Sequence, residues 1–445
     1  MLNWELLHGP LPWILFVTGA AGLVYLLWGR GRSWWLIRVP VAVLSGIVVA
    51  VAVEIVVDQI MGLFNPEGLG TISLVVIGLI VAALVLALIH PTRWVWRWIA
   101  LLAVIAVALG GSTWVNYSFK YFPDIRAVVG ASPQDETDLP AKQDKQINQN
   151  NQNNQNKQDD RPKPVATGPI SDSWNPPASM PTVGTLSEVD IPGKISGWNT
   201  GRKAWVYLPP AAYVDKVPDL PVLMLMPGDP GSPDQWALTI QLNVKMDAFA
   251  ATHRGLAPIV VVPDSRGTGI DPECVNSTRV GQVFTYLSRD VPGWIKATVP
   301  HATPDMKKWA VGGLSAGGTC GVQLVVNDPA TFATFLDFSG RADIALADRQ
   351  DAVNRLFDGN QAAYRKVNPA DVLEREKFPR AAGFISIRSE DPTNLAFVQD
   401  LRALCVKAGM TIEYQVVPGS HDGPGFGNGL IAALPWVSRR FGLTR

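Results

Sequence analysis

Hydrophobic positions divide this chain into three stretches of different character. Before about residue 120, four nearly unbroken apolar runs lie near Pro12–Trp28, Leu36–Val57, Thr71–Ile89 and Val95–Tyr117. Each approaches the roughly 20 residues a helix needs to cross a bilayer, and little polar surface is left to face water. Residues 1–120 are therefore predicted to be a transmembrane region of four helices. From Ala131 to Val183 the chain turns polar, and Gln146–Gln158 is almost entirely Asn, Gln, Lys and Asp. Such a tract buries too little apolar surface to offset its ordering entropy, so residues 121–183 are predicted to be a juxtamembrane segment and a disordered tether that spaces the next domain from the bilayer. After residue 183 the pattern changes to short apolar runs: Thr185–Ile191, Lys203–Leu208, Pro221–Met226, Pro258–Pro263, Lys308–Gly312, Thr334–Phe338, Ala382–Arg388 and Thr411–Val417. The later runs alternate with helical stretches, which predicts an α/β domain over 184–445 with a mostly parallel sheet covered on both faces.

Charge adds an orientation. The 445 residues carry 38 basic and 38 acidic side chains, a balance that points to neither nucleic acid nor an acidic polymer as partner. The first inter-span loop holds Arg30, Arg32 and Arg38 and the third holds Arg93 and Arg97, whereas the second, with Asp58 and Glu67, has no Lys or Arg. By the positive-inside rule both termini lie outside, which predicts a multi-pass cell-membrane protein with its α/β domain extracytoplasmic. Glu54 and Asp58, near the end of the second run, are expected to snorkel to the outer interface.

Chemistry concentrates around Gly313-Leu314-Ser315-Ala316-Gly317, preceded by a strand pattern and followed by a helical one. A serine on such a turn takes a strained backbone that lifts its hydroxyl clear of the sheet, the nucleophile elbow of an α/β-hydrolase-type sheet. In that arrangement the acid and then the histidine follow the serine. Of five histidines His421 alone follows Ser315, in a glycine loop past the last strand. Asp391, in a proline turn after the seventh strand, is the expected acid, with the adjacent Glu390 as alternative. A developing oxyanion needs two preorganised donors. The Ala316 amide is the first; prolines 227 and 230 lack a donor, leaving Gly228 and Asp229, of which the Asp229 amide is favoured.

Three cysteines suit an oxidising compartment. Cys274 follows the fourth strand and Cys320 lies on the helix behind Ser315, so these two are expected to form a disulfide, leaving Cys405 a buried thiol. No HExxH, paired CxxC, Walker loop or dinucleotide fingerprint occurs, so no metal, nucleotide or other cofactor is expected.

The segments Leu220–Gly228, Tyr286–Trp294, the Gly313–Gly318 elbow, Asn327-Asp328-Pro329 through Phe338-Ser339-Gly340 and the His421 loop resemble the esterase D-like family of α/β-hydrolases, over residues 185–441. That branch includes the secreted mycolyltransferases, and Asn116–Pro123 resembles its membrane-anchored actinobacterial esterases. The resemblance implies a serine esterase acting on a cell-envelope lipid or glycolipid acyl ester. The alternatives are an acyltransferase moving an acyl chain to a sugar hydroxyl and a non-catalytic envelope-binding relative.

Overall fold

The computed structural model describes all residues except 1–3, 29–30, 61–69, 90–93, 121, 130–138, 141, 143–167, 215–216 and 347. Arg30, Glu67, His90, Arg93, the side chain of Asp58 and the tether centre Gln146–Gln158 lie outside the described residues.

Four helices long and apolar enough to cross a membrane open the chain: α1 (Pro10–Leu27), α2 (Trp34–Val57), α3 (Thr71–Ile89) and α4 (Trp94–Phe119). Helix α2 begins with a π-helical turn at Trp34–Arg38 and runs into a second, Ile55–Ile60, that continues past its apolar span. Helix α1 packs along α4 and α2 along α3. Both contacts rely on missing side chains. A methyl on Gly19 would press on Gly110, and one on Gly46 would strike the Gly78 backbone, so glycines let the helix axes approach. Trp13, Val17, Leu36 and Leu88 face outward and exposed, as expected of helices whose outer surface meets hydrocarbon. Glu54 lies within α2, and one of its carboxylate oxygens is buried with no hydrogen-bond partner among the described residues.

The α/β domain is built on eight strands: β1 (Thr185–Val189), β2 (Ala204–Leu208), β3 (Val222–Met226), β4 (Ile259–Val262), β5 (Trp309–Leu314), β6 (Thr334–Phe338), β7 (Ala382–Arg388) and β8 (Thr411–Val417). Their order in the sheet is β1-β2-β4-β3-β5-β6-β7-β8. Strands β1 and β2 are antiparallel to their neighbours; from β4 to β8 every pairing is parallel. The fold is thus the α/β-hydrolase type expected, with β1–β4 one or two residues shorter than their apolar runs and β5 continuing two residues further, to Leu314.

Strand alternation explains the two cores. Val222, Met224 and Met226 point to one face and Leu223 and Leu225 to the other, and β4 repeats the pattern with Ile259 and Val261 against Val260 and Val262. Helix α5 (Ala316–Asn327) covers the first face; α7 (Gly423–Arg440) covers the second through Phe426, Leu430, Leu434 and Val437. Helix α6 (Pro392–Lys407) packs on the first face through Val398 and Leu401. Residues ahead of 184 join in: Trp174 is buried in the first core and Ala127 in the second.

Cys274 and Cys320 are joined by a disulfide across 46 positions, with Cα atoms 5.6 Å apart, and Cys405 is buried and free. The bridge ties the loop after β4 to α5. Replacing both cysteines by alanine is expected to lower unfolding stability by about 2–4 kcal/mol, read as a lower urea midpoint. Reductant should lower the wild type alike and leave the double variant unmoved.

Candidate active site

The parallel register brings the carboxyl ends of β3, β5, β6 and β7 to one edge, where Met226 pairs with Gly313, Leu314 with Phe338 and Phe338 with Ser386. Loops leaving that edge meet, and open parallel sheets place their ligand crevices there. Ser315 is the first residue after β5 and sits at φ 51°, ψ −120°, a region costly for any residue with a Cβ. The turn is tolerated because its neighbours are small. A methyl on Gly313 or on Gly317 would overlap the Met226 carbonyl oxygen. The Ser315 amide donates to Phe338 O at 2.9 Å, pinning the turn to β6.

Helix α5 starts at Ala316, and amides of a helix's first turn have no intrahelical acceptor. On the opposing loop, the Gly228 amide is engaged, donating to Gln235 Oε1 at 2.9 Å. Of the two donors that the prolines spare, that loop leaves the Asp229 amide. The Asp229 carboxylate turns to the buried Arg266 guanidinium, 2.6 Å away, and Arg266 also pairs with Asp271. Burial raises the Asp229 carboxyl above its usual range while Arg266 opposes the rise. The arginine thus offsets the negative charge of that carboxylate beside the Ser315 turn.

His421 and Ser315 line one cleft of about 90 Å³, with Asp229, Gln235, Leu314 and Phe426. No hydrogen bond links Ser315 to His421; such bonds often tighten only around substrate. His421 Nδ1 lies 2.8 Å from Asp391 Oδ2, whereas Glu390 accepts from Ser420 Oγ at 3.0 Å. The carboxylate against the imidazole is therefore Asp391. An ionised carboxylate can only accept, so this contact calls for a proton on Nδ1 and turns Nε2 away from Asp391.

Several groups that support Asp391 carry no sequence signal. Ser339 Oγ donates to Oδ2 at 3.2 Å, and Asn394 donates to Oδ1 through its side chain at 2.9 Å and its backbone at 3.3 Å. Asp391 is thus also the N-cap of α6, so one carboxylate holds both the helix start and the imidazole. The fully buried Arg388 reaches Oδ2 at 3.4 Å and stacks over Phe426 at 4.4 Å. Burial alone would push the Asp391 carboxyl up; hydrogen bonds from His421 and Asn394 and the charges of His421 and Arg388 carry it down to about 2.

That depression has a testable consequence. A carboxylate whose folded pKa lies below its unfolded value stabilises the fold above about pH 4 and loses that contribution as pH falls through 2. Asp391→Asn should be less stable than the parent at pH 7, and the gap should close between pH 4 and 2. Denaturant midpoints of both proteins across that range check it; a gap independent of pH would contradict the assigned interactions.

No family model matches the chain. An uncharacterized protein of Corynebacterium glutamicum is 37% identical over 271 residues, covering 59% of this chain and 63% of that protein's own length. Among solved structures, a ferulic acid esterase is similar with a TM-score of 0.50 and 19% identity, over 58% of this chain and 99% of its own. An S-formylglutathione hydrolase from Agrobacterium tumefaciens gives a TM-score of 0.48 and 17% identity, over 59% of this chain and 97% of its own. At 19% identity the likeness to the ferulic acid esterase is one of fold, and it joins the sheet order and the turn at Ser315 in placing residues from 185 onward in the α/β-hydrolase fold.

Proposed function

We propose that this protein is a membrane-anchored serine esterase acting on acyl esters of cell-envelope lipids or glycolipids, with its α/β domain outside the cell. The observation that carries the reading is one cleft lined by an elbow serine at positive φ and by a histidine held through Nδ1 by a buried carboxylate. Ser315 Oγ attacks the ester carbonyl carbon as its proton passes to His421 Nε2. Asp391 keeps the imidazole oriented and stabilises the imidazolium. The amides of Ala316 and Asp229 receive the negative charge that develops on the carbonyl oxygen. Collapse breaks the ester bond, and the leaving alcohol takes the proton from His421. Water then attacks the acyl-enzyme by the same steps in reverse, freeing the acid and Ser315.

Membrane anchoring rests on the length and apolarity of α1–α4, and the outward placement on the arginines of the first and third loops. An ester substrate is also what the ferulic acid esterase of similar fold takes, as its name states.

Full-length protein treated with a short fluorophosphonate should gain one adduct by intact mass, and Ser315→Ala should gain none. Asp391→Ala and His421→Ala should each slow labelling by at least about 10²-fold, since the serine then lacks its oriented base. A folded wild type that takes no adduct would reject the reading in favour of a non-catalytic binding domain.

A further inference from the structure

One residue at the foot of α4 lines the cleft, and the next is paired with another of its lining residues. Phe119, the final residue of α4, lines the cavity that also contains Ser315 and His421. Lys120 follows it and binds Asp422 Oδ2 at 2.7 Å, with the Asp422 side chain only 7% exposed. Asp422 is the neighbour of His421 and the cap of α7, accepting from the Gly425 amide at 2.8 Å. A methyl added to Gly423 would lie 3.4 Å from the Lys120 carbonyl oxygen, so backbone as well as charge closes this junction.

The junction is built rather than incidental. Asn116 closes the turn after α4, donating to Phe122 O at 2.9 Å and accepting from its amide at 2.8 Å. The N-terminal segment clamps the same turn: the Leu6 amide donates to Pro123 O at 2.8 Å and the Ile125 amide to Trp4 O at 3.2 Å. Asp124 caps the helical turn Ile125–Val128, whose Ala127 is buried in the α/β core. The α/β domain is thus seated on α4 through residues that precede the polar tract.

We infer, on the basis of the serine-esterase reading above, that α4 delivers its substrate: an acyl ester resident in the outer leaflet, whose chain runs past Phe119 while its carbonyl sits at Ser315. The apolar span Trp96–Phe119 has 24 residues, and at 1.5 Å each extends ~36 Å against a hydrocarbon core of ~30 Å. Its last turn thus emerges at headgroup depth, and the cleft opens there. At about 90 Å³ the cleft is far below the ~300–1,000 Å³ of pockets that enclose a drug-sized ligand, so it takes the ester head and leaves a long chain outside. Phe119, Ile240 and Phe426 give the cleft apolar lining beside the end of α4. Phe122, Val128 and Val129, exposed on the adjoining turn, supply further apolar surface at that depth. A chain leaving along Phe119 stays in hydrocarbon and need not cross water.

Full-length protein in phosphatidylglycerol nanodiscs is labelled with two fluorophosphonates, one bearing an ethyl and one a hexadecyl chain. In either, the Ser315 oxygen–phosphorus bond forms, fluoride leaves and His421 takes the proton, so no acceptor need be known. The wild type should prefer the hexadecyl probe, and Phe119→Ala and Lys120→Ala should each reduce the hexadecyl-to-ethyl rate ratio about tenfold. Lys120→Arg, which retains the pair with Asp422, should restore the ratio. Equal losses toward both probes, or an unchanged ratio in both alanine variants, would overturn the inference by making the junction structural only. Absence of any adduct on wild-type Ser315 would instead remove the esterase reading itself, and this inference with it.

Discussion

How closely β3, β5 and α5 approach one another governs most of what this domain can do. Ser315 holds a left-handed backbone only while its amide bonds β6 and its flanking glycines lie against the Met226 carbonyl. Side chains at those positions would push α5 outward and let the turn relax toward an ordinary helix start, lowering the hydroxyl toward the sheet. The same crowding reaches the loop after β3. A methyl on Gly228 would strike Leu314 and meet Ser315 Cβ, so that loop comes close to the Ser315 turn only because position 228 has no side chain. The disulfide between Cys274 and Cys320 holds α5 from behind. Strain and support lie within a few residues of each other.

Around this frame, buried charges are arranged so that neighbouring carboxylates behave differently. Asp391 and Asp337 both flank Arg388. Asp391, hydrogen-bonded by His421 and Asn394, is carried down to about 2, whereas burial carries Asp337 up to about 7 against only the Gly340 amide and Arg388. Arg388 is itself lowered to about 10 by burial and held charged by Asp391, Asp337 and Asp422. Hydrogen bonds, more than nearness to a cation, separate the two acids. A carboxylate that stays ionised under a histidine is what general-base chemistry at Ser315 needs.

The contact between α4 and the His421 loop gives the N-terminal helices a place beside the site. A domain joined to them only by a flexible tether would be free to tumble. Here the Lys120–Asp422 pair, the Asn116 turn and the buried Ala127 fix the cleft against the end of α4. Its orientation relative to the four apolar helices is thereby set by packing.

Much of the frame was legible in the sequence because its signals are local. Apolar runs of about 20 residues, short strand runs and small residues around Ser315 each depend on neighbours a few positions away, so composition and spacing alone mark four helices, eight strands and one elbow. The order Ser315, Asp391, His421 is likewise a property of the chain. What the sequence left open depended on contacts between distant segments. Glu390 and Asp391 are adjacent and chemically alike; only the direction of the turn after β7 sends one to His421 and the other to Ser420. Asn394, Ser339 and Arg388 look like an ordinary helix residue, a loop serine and a strand end until the sheet gathers them around one carboxylate. Arg266 meets Asp229 from 37 positions away, and Lys120 meets Asp422 from 302. Periodicity reports which face of an element is buried, not which element lies opposite it, and those pairings existed only once the chain had folded.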